Sequence, residues 1–491
     1  MLRQFIIDNQ HADVAQLALQ RKRYPMISDS DFRFCIQQID GWQRTKDKLP
    51  TFAHIDGWLY PPRLNLEQCS SERTARFKAA LVEEIRNQKS EVRNQKSEIR
   101  NQKSEVRLID GTGGYGVDSF FMSEVAAETH YFEQNAGLAA IAEHNFHLAG
   151  KTIQCHAEAF TVQSLQILLA ENSQPSTFNS QLIYLDPARR DTNGGKVFRL
   201  EDCTPNVIEI VQHIRLIRSI REQQVRVLLK LSPMLDFHQA VAELGGSWEV
   251  YVVSVNGEVK ELLLADIRSQ MSEVRDQKSE IRSQMSEVRD QKSEIRSQMS
   301  EVRDQKSEIR SQIAEIHAVA LDDEGEHDFA FTPDEESEAE VLYLSADETL
   351  EGLYVYEPDA ALLKAGAFRL ISARYGLRKA AQNTHLYFVS QKSNAPHCAS
   401  LWGPRAVESQ MQKVEGRKPE ISGRWWQVVG VYARVKDVQR VCTRANVLTR
   451  NYVLSADALR KQLHLKDGGE DYIIGCRIND KPLLLHCRRG L

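Results

Sequence analysis

A short apolar segment that ends in an acid and runs into a glycine-rich loop constrains the fold of this chain most. It reads Leu108-Ile-Asp-Gly-Thr-Gly-Gly-Tyr-Gly116. Glycines after a β-strand allow a tight turn and let backbone N–H groups come close to a ligand. A second apolar segment, Thr129-His-Tyr-Phe-Glu133, ends in an acid about twenty residues later, the spacing at which α/β folds hold ribose hydroxyls. The pattern predicts an α/β fold with a site for an adenosine-containing ligand.

A third segment of the same kind strengthens this interpretation. Gln181-Leu-Ile-Tyr-Leu-Asp186 is apolar on successive residues, as in a buried parallel strand, and Pro187 follows it. Between the second and third segments, Cys155-His-Ala-Glu158 supplies a further acid. A purely structural role for one glycine loop remains an alternative, but three acid-terminated strands in order favour a binding site.

The loop does not fit the Gly-x-Gly-x-x-Gly pattern of dinucleotide binders. It resembles the Asp-x-Gly-x-Gly-x-Gly loop of class I S-adenosylmethionine-dependent methyltransferases. Asp110 takes the acidic position, Gly114 and Gly116 the second and third glycines, and Thr112 replaces the first. Asp186 and the proline after it are similar to the (Asn/Asp)-Pro-Pro-aromatic motif of the same enzymes.

The resemblance implies S-adenosylmethionine as cofactor and names the residues that would hold it. These are Asp110, Thr112, Gly113, Gly114, Gly116, Glu133, Glu158 and Asp186. Glu133 would accept hydrogen bonds from the ribose hydroxyls and Glu158 from the adenine amine. Asp110 would either orient the loop or contact the amino group of the cofactor.

The catalytic residues implied by the same resemblance are Asp186, Pro187 and Arg189. Asp186 would lie beside the transferred methyl group and accept a proton or hydrogen bond from the substrate, and Pro187 would fix the adjacent carbonyls. Ala188 stands where many such enzymes have an aromatic residue that stacks on a flipped base. Arg189 and Arg190 either clamp a phosphate or pair with nearby acids, and the sequence leaves both alternatives open.

Further segments resemble a bacterial family of class I methyltransferases with a ferredoxin-like domain and a C-terminal THUMP-like domain. They are Tyr60-Pro-Pro62, Glu67–Glu72, Asp186–Asp191, Val255–Glu261, Tyr356–Phe368, Asn383–Tyr387 and Arg450–Gly469. The resemblance implies an α/β fold: a Rossmann-like domain, an N-terminal helical region and two small α+β domains. It also implies a structured RNA, such as a tRNA or rRNA, as methyl acceptor.

The expected organisation follows from these motifs and from two repeats. We predict an N-terminal helical region (1–77), a methyltransferase domain (78–266) with a repeat insert (86–107), a low-complexity repeat (267–312), a ferredoxin-like domain (313–412) and a THUMP-like domain (413–491). In the longer repeat an aliphatic residue recurs every seven positions, as at one of the two apolar positions of a coiled-coil heptad. The other apolar position alternates between methionine and lysine, which disfavours a stable coiled coil. A dimerisation arm and an inert tandem expansion both remain open.

Charge is distributed unevenly along the chain. Residues 321–351 contain thirteen acidic and no basic residues, whereas residues 413–491 contain 16 Lys/Arg and 8 Asp/Glu, a net charge of +8. Such asymmetry is typical of a nucleic-acid-binding tail. Trp425 and Trp426 lie among the basic residues, and we expect them to belong to a strand, with one of them filling the domain core.

Composition excludes several other classes. The 491 residues carry a net charge of −5 and eight cysteines without a Cys-x-x-Cys pair, so neither a zinc site nor a disulfide framework is indicated. No apolar run reaches the length of a membrane span, and a cytoplasmic location is expected. The oligomeric state stays open. Three functions remain: an RNA methyltransferase, a methyltransferase of a protein or small molecule, and a non-catalytic RNA-binding protein that retains the fold.

Overall fold

The structure is a computed structural model that describes residues 1–94, 106–170, 180–188, 200–221, 225–266, 309–390 and 421–489. Most of the longer repeat, together with Arg189 and Arg190, lies outside the described residues. The chain divides into two compact units: Met1–Trp248 with Leu263–Glu301, and Glu249–Leu262 with Val302–Leu491. None of the helices in the described ranges has the length and apolar character needed to cross a membrane.

The first unit begins with six helices. They are α1 (Leu2–Asp8), α2 (Val14–Leu19), α3 (Asp29–Thr45), α4 (Pro50–Ala53), α5 (Arg63–Gln68) and α6 (Glu72–Asn94). Ser28 caps α3 by accepting a hydrogen bond from the Asp31 N–H. The acids in the first turn stabilise the helix because their negative charge interacts favourably with the positive end of the helix dipole. Phe5, Leu17 and Phe32 belong to the small core of this helical region. Helix α6 runs without a break across the predicted boundary between residues 77 and 78.

Five parallel strands follow, with helices between them. The strands are β1 (Val106–Asp110), β2 (Glu128–Phe132), β3 (Gln154–His156), β4 (Ser180–Leu185) and β5 (Val225–Leu231). The helices are α7 (Val117–Met122), α8 (Ala136–Leu148), α9 (Val162–Ala170), α10 (Val207–Arg221) and α11 (Phe237–Leu244). The strand order is β3-β2-β1-β4-β5, and every residue of β1 and β4 is buried, as expected for strands covered on both faces.

A hairpin follows β5 in the chain. It consists of β6 (Trp248–Val255) and β7 (Glu258–Ala265), which are neighbours in the strand order, and β7 also neighbours β5. Asn256 and Gly257 have φ angles of 51° and 80° at the turn. A two-residue turn of this type needs positive φ at both positions, which explains the Asn-Gly pair. The predicted terminal hairpin is therefore present.

The second unit also contains β8 (Ile313–Leu321), which neighbours β6 and pairs with β9 (Glu326–Phe331). A seven-stranded sheet follows in the order β11-β12-β10-β13-β16-β15-β14. Its strands are β10 (Tyr354–Pro358), β11 (Arg378–Ala381), β12 (Thr384–Val389), β13 (Gly423–Tyr432), β14 (Asn446–Arg450), β15 (Asp471–Ile478) and β16 (Lys481–Arg489). Its helices are α12 (Pro333–Glu338), α13 (Ala360–Ala365), α14 (Leu370–Tyr375), α15 (Val435–Val441) and α16 (Ala456–Leu463).

The two adjacent tryptophans lie on β13. Trp426 is 2% exposed and belongs to the core of the seven-stranded sheet, whereas the ring of Trp425 is tilted against Tyr356, with ring centroids 4.6 Å apart. The expectation that both lie in a strand, with one filling the core, is confirmed.

Candidate active site at the carboxyl edge of the parallel sheet

Three of the predicted acids lie at the same edge of the parallel sheet. Asp110 is the last residue of β1, Glu133 follows β2 and Asp186 follows β4. Asp110 pairs in register with Tyr131 of β2 and with Tyr184 of β4, so the carboxyl ends of these neighbouring strands are level. The strand order therefore brings Glu133 and Asp186 to the two sides of the glycine loop.

Backbone hydrogen bonds tie the glycine loop to both neighbouring strands. The Gly111 N–H donates to the Tyr184 carbonyl at 3.0 Å, and the Gly113 N–H donates to the Phe132 carbonyl at 2.8 Å. Gly116 has φ +83°, and a Cβ there would lie 2.5 Å from the Phe146 ring. Close packing against α8 thus requires glycine at 116. At Gly114 a Cβ would meet only the Thr112 carbonyl oxygen, at 3.8 Å, so the φ angle of +53° is the reason that favours glycine there.

Glu133 is held against this loop. One carboxylate oxygen accepts the Gly114 N–H at 3.0 Å, and the other accepts the Asn135 N–H at 2.7 Å. A carboxylate oxygen has two lone pairs, so each oxygen can accept a second hydrogen bond from a ligand hydroxyl. The side chain is partly buried, and these two hydrogen bonds fix its orientation.

Asp110 has a different environment, because it is 1% exposed. It accepts hydrogen bonds from the Thr112 N–H at 3.0 Å and from the Ser119 hydroxyl. Burial raises the pKa of Asp110 to about 7. Of the two roles predicted for this residue, its contacts favour orientation of the loop.

Asp186 is accessible, with 37% of its side chain exposed. Its N–H donates to the Thr112 hydroxyl at 2.6 Å, which links the glycine loop to the end of β4. Its Oδ2 atom lies 2.5 Å from the Lys230 ammonium, at the end of β5. Lys230 was not among the predicted site residues, although a lysine within the apolar segment Val225–Leu231 is an unusual sequence feature.

The two residues that follow Asp186 differ in solvent exposure. Pro187 is buried and Ala188 is exposed. Ala188 forms a two-bond bridge with Thr204, its N–H donating at 3.0 Å and its carbonyl accepting at 3.2 Å. Arg189, the remaining predicted catalytic residue, lies outside the described residues.

Glu158 lies two residues beyond β3 and is exposed. Strand β3 pairs with β2, and the Glu133 N–H donates to the His156 carbonyl at 3.1 Å. Glu158 is therefore on the β2 side of the loop, away from Asp186. Its proposed contact with adenine stays a prediction.

A buried charge cluster that the sequence did not reveal adjoins the site. Lys78 of α6 is 0% exposed, and its ammonium lies 3.2 Å from Asp118 of α7. The Ser70 and Tyr184 hydroxyls donate to the other Asp118 oxygen at 2.8 and 2.7 Å. Burial alone raises the pKa of Asp118, but the charges of Lys78 and Lys230, with these hydrogen bonds, bring it below its usual value.

The N-terminal helical region also contacts the glycine loop. The Trp58 indole N–H donates to the Tyr115 hydroxyl at 2.6 Å, and that hydroxyl donates to the Leu59 carbonyl at 3.1 Å. The Asn145 side chain of α8 bonds both the N–H and the carbonyl of Leu59 at 2.9 Å. Residues from before β1 thus help to fix the loop, which the sequence motifs at 60–72 did not specify.

The second unit has a cluster with metal-ligating atoms in the part of the chain that the structure describes. Ligand atoms of Cys442, Asp471 and His486 lie within 4.8 Å of one another. Asp471 accepts a hydrogen bond from Arg488 at 3.0 Å and lies 3.1 Å from His486, while Cys442 donates to the Arg444 carbonyl. The Arg488 guanidinium thus already pairs with the carboxylate that a metal ion would need. We therefore interpret the cluster as an ion-pair network that joins β15 and β16.

Comparisons with known proteins agree with this architecture. Residues 354–396 match a ferredoxin-like domain family and residues 423–489 a THUMP domain-like family. A candidate methyltransferase from Porphyromonas gingivalis W83 is 25% identical, with 100% of this chain and 98% of that chain covered and a TM-score of 0.68. The comparison with curated proteins gave no match.

A more distant structure is that of a SAM-dependent methyltransferase from Agrobacterium tumefaciens. It is 17% identical, covers 40% of this chain and 61% of its own, and has a TM-score of 0.26, which is too low to support an argument.

The chain has the Rossmann-like fold of class I methyltransferases and is similar over its full length to a candidate methyltransferase. Within that class, the chain combines a Rossmann-like domain and an N-terminal helical region with a ferredoxin-like domain and a THUMP-like domain. The predicted fold class and the family resemblance are both confirmed.

Proposed function

We propose that this methyltransferase uses S-adenosylmethionine to methylate RNA. The observation that carries the proposal is the arrangement of Glu133 and Asp186 on opposite sides of the Gly111–Gly116 loop, at the carboxyl edge of a parallel sheet. Ligands of open α/β sheets bind at this edge. The oriented carboxylate of Glu133 suits a pair of ribose hydroxyls, and the accessible Asp186 suits a reacting group on the other side of the loop.

The residues present fit this cofactor. Gly114 offers a loop backbone without a side chain, and Glu158 is positioned on the β2 side, where the adenine would extend beyond the ribose. When bound, the cofactor supplies a sulfonium-activated methyl group, so the protein mainly has to position the acceptor in line with it. Asp186 orients the acceptor and takes up its proton, and the Thr112 hydroxyl keeps the Asp186 backbone in place.

The second unit supports RNA as the acceptor. Its THUMP domain-like segment carries most of the basic excess of residues 413–491, and Lys436, Arg440, Arg444 and Lys466 are exposed. We call these four residues the basic face. Lys436 and Arg440 are one helical turn apart on α15, and Arg444 forms a β-bridge with Lys466. Exposed cations at such spacing suit the phosphates of a structured RNA.

The first test measures cofactor binding by calorimetry and methyl transfer from labelled S-adenosylmethionine to RNA, protein and metabolite fractions. We expect binding, with label in RNA. Label in protein or metabolites instead would assign a different substrate. Binding of RNA without binding of the cofactor would identify a non-catalytic RNA-binding protein.

The second test replaces Asp186 by Asn, which keeps the shape but removes the charge that takes up the acceptor proton. We expect transfer to fall by about 10²- to 10⁴-fold, the usual contribution of a positioned acid or base. Cofactor affinity should change little. Asp347→Asn, at an exposed position of the second unit, is the matched control. Full turnover by the Asp186 variant would refute the role assigned to this residue.

A further inference from the structure

Lys230 places a cation at the proposed methyl-transfer position. Its ammonium is 2.5 Å from Asp186 Oδ2, and its side chain is only 11% exposed, against 37% for Asp186. The lysine approaches from β5, the strand next to β4, so it lies behind the accessible carboxylate. The following inference rests on the proposed function, because it concerns the atom that receives the methyl group.

The surrounding charges hold Lys230 in this position. Lys78, Asp118, Lys230 and Asp186 form a series of alternating charge that leads from the interior to the accessible edge. Lys78 and Asp118 are 3.2 Å apart, and the charge of Lys230 contributes to the lowered pKa of Asp118. Lys230 therefore pairs with the Asp186 carboxylate and also interacts electrostatically with the Asp118 carboxylate.

The sign of this charge discriminates between acceptor atoms. A neutral amine that attacks a methyl group becomes positively charged before it loses a proton, and a neighbouring ammonium opposes that change. A hydroxyl that attacks loses its proton, and partial negative charge develops on its oxygen. A cation placed beside the developing charge stabilises the transition state for oxygen and not for nitrogen.

The residue that follows Pro187 also bears on the choice of acceptor atom. Ala188 stands where an aromatic side chain would stack on a flipped base, and it is engaged in the bridge with Thr204.

We propose that the acceptor is a hydroxyl oxygen of RNA, the ribose 2′-hydroxyl, and that Lys230 is the cation that stabilises this oxygen during transfer. The O–H bond breaks as its proton passes to the Asp186 carboxylate. The oxygen uses a lone pair to form the new O–CH3 bond. The electron pair of the broken S–CH3 bond remains on sulfur, which becomes the neutral thioether of S-adenosylhomocysteine.

The location of the methyl group in the product tests the proposal with the unaltered protein. RNA labelled with tritiated S-adenosylmethionine is hydrolysed in alkali, which cleaves only where a 2′-hydroxyl is present. We expect the label in alkali-resistant dinucleotides. Label in mononucleotides would place the methyl group on a base and overturn this inference while leaving the proposed RNA methylation intact. Absence of label from RNA would overturn both.

Cofactor affinity provides a test that does not depend on turnover. The variant Lys230→Met removes the charge and keeps an unbranched side chain that is one atom shorter, and Lys22→Met, at an exposed position of the N-terminal region, is the matched control. S-adenosylmethionine is cationic at sulfur and S-adenosylhomocysteine is not. Lys230→Met should therefore bind S-adenosylmethionine at least about threefold more tightly, with S-adenosylhomocysteine affinity unchanged.

The same variant should lose transfer by about 100-fold, because the oxygen is no longer stabilised. Equal changes in affinity for the two ligands would place Lys230 away from the methyl group and contradict the proposal. Thermal unfolding of Lys230→Met checks that the variant is folded. The product analysis uses the unaltered protein, so it tests the proposal even if this variant does not fold.

Discussion

Two carboxylates on adjacent strands of the same sheet have opposite surroundings. Asp110 is 1% exposed and accepts hydrogen bonds from its own loop and from α7, whereas Asp186 is accessible and paired with Lys230. The difference arises because β1 lies in the middle of the sheet beneath the loop, while the chain leaves β4 at the edge of the site. These contacts favour a role for Asp110 in shaping the loop, whereas the exposure of Asp186 makes it accessible to a ligand.

The buried Asp110 predicts a dependence of stability on pH. Its pKa is raised to about 7 in the folded state, above the value of about 3.9 in an unfolded chain. Between these values the folded state holds a proton that the unfolded state has lost, so the free energy of unfolding falls as pH rises. The variant Asp110→Asn should not show this dependence. As pH rises from 4 to 7, its free energy of unfolding should therefore increase by up to about 4 kcal/mol relative to that of the unaltered protein.

Urea unfolding at several pH values measures the effect. Asp118→Asn serves as a control of opposite sign, because the pKa of Asp118 is lowered by folding. Its carboxylate stabilises the protein above the unfolded pKa, so that variant should be least stable, relative to the unaltered protein, at neutral pH and should recover in acid. A constant difference between Asp110→Asn and the unaltered protein over the whole range would contradict the burial of an ionisable acid.

At the scale of elements, the loop between β1 and α7 depends on packing as much as on ligand access. Gly116 lies against Phe146, and Gly113 lies against the Tyr131 ring, where a Cβ would come within 2.0 Å. Gly116 thus allows close packing of the loop against α8, and Gly113 allows close packing of the loop against β2. The glycine pattern thus has a structural cause at two positions, and its presence alone does not establish a binding site.

Gly116→Ala should destabilise the protein by about 2–4 kcal/mol, because the new methyl group clashes with Phe146 and the backbone has φ +83°. Gly150→Ala is the matched control, since Gly150 has φ +69° with nothing within 4 Å of its Cβ position, and it should cost about 1 kcal/mol. Chemical denaturation measures both. Equal losses would show that backbone angle, and not packing against α8, explains the glycine at 116.

The basic face on and after α15 leads to a prediction for RNA binding. Lys436→Ala combined with Arg440→Ala removes two exposed cations, and the slope of log K against log salt should decrease by about 2. Lys22→Ala with Arg23→Ala removes the same charge from the N-terminal region, and that pair should leave the slope unchanged. Filter binding at several salt concentrations distinguishes them, and equal slopes for both pairs would exclude α15 from the RNA contact.

At the scale of the whole molecule, repeats interrupt the sequence of this Rossmann-like protein. Residues 267–308 separate β7 from β8 in sequence and lie outside the described residues. Surface loops tolerate long insertions at small cost in loop entropy, since the cost grows only with the logarithm of length. We therefore favour an inert expansion over a dimerisation arm.

Replacement of residues 268–308 by a Gly/Ser linker of about 12 residues tests this choice. The oligomeric mass from light scattering and the calorimetric affinity for S-adenosylmethionine should both match those of the unaltered protein. A change in mass would identify the repeat as a dimerisation arm, and a loss of affinity would identify it as a part of the functional molecule. A linker of scrambled repeat sequence is a suitable control.

The sequence by itself predicted the type of fold and the strands whose ends carry the acids of the site. Parallel strands expose their carboxyl ends at one edge, so acids that follow apolar segments, such as Asp110, Glu133 and Asp186, must meet there. The Asn256-Gly257 turn and the strand position of Trp426 were also readable, because turn geometry and alternation are local properties. The contacts that the helical region before β1 makes with the glycine loop could not be predicted from local sequence patterns.

Only the tertiary structure decided which side chains surround Asp186. Lys230 is 44 residues from Asp186, and Ser70 is 48 residues from Asp118. Such pairs leave no periodic pattern in the chain, since each partner alone is an ordinary residue of a helix or strand. Local patterns specify backbone conformation, whereas the charge at the site depends on contacts between segments that folding brings together.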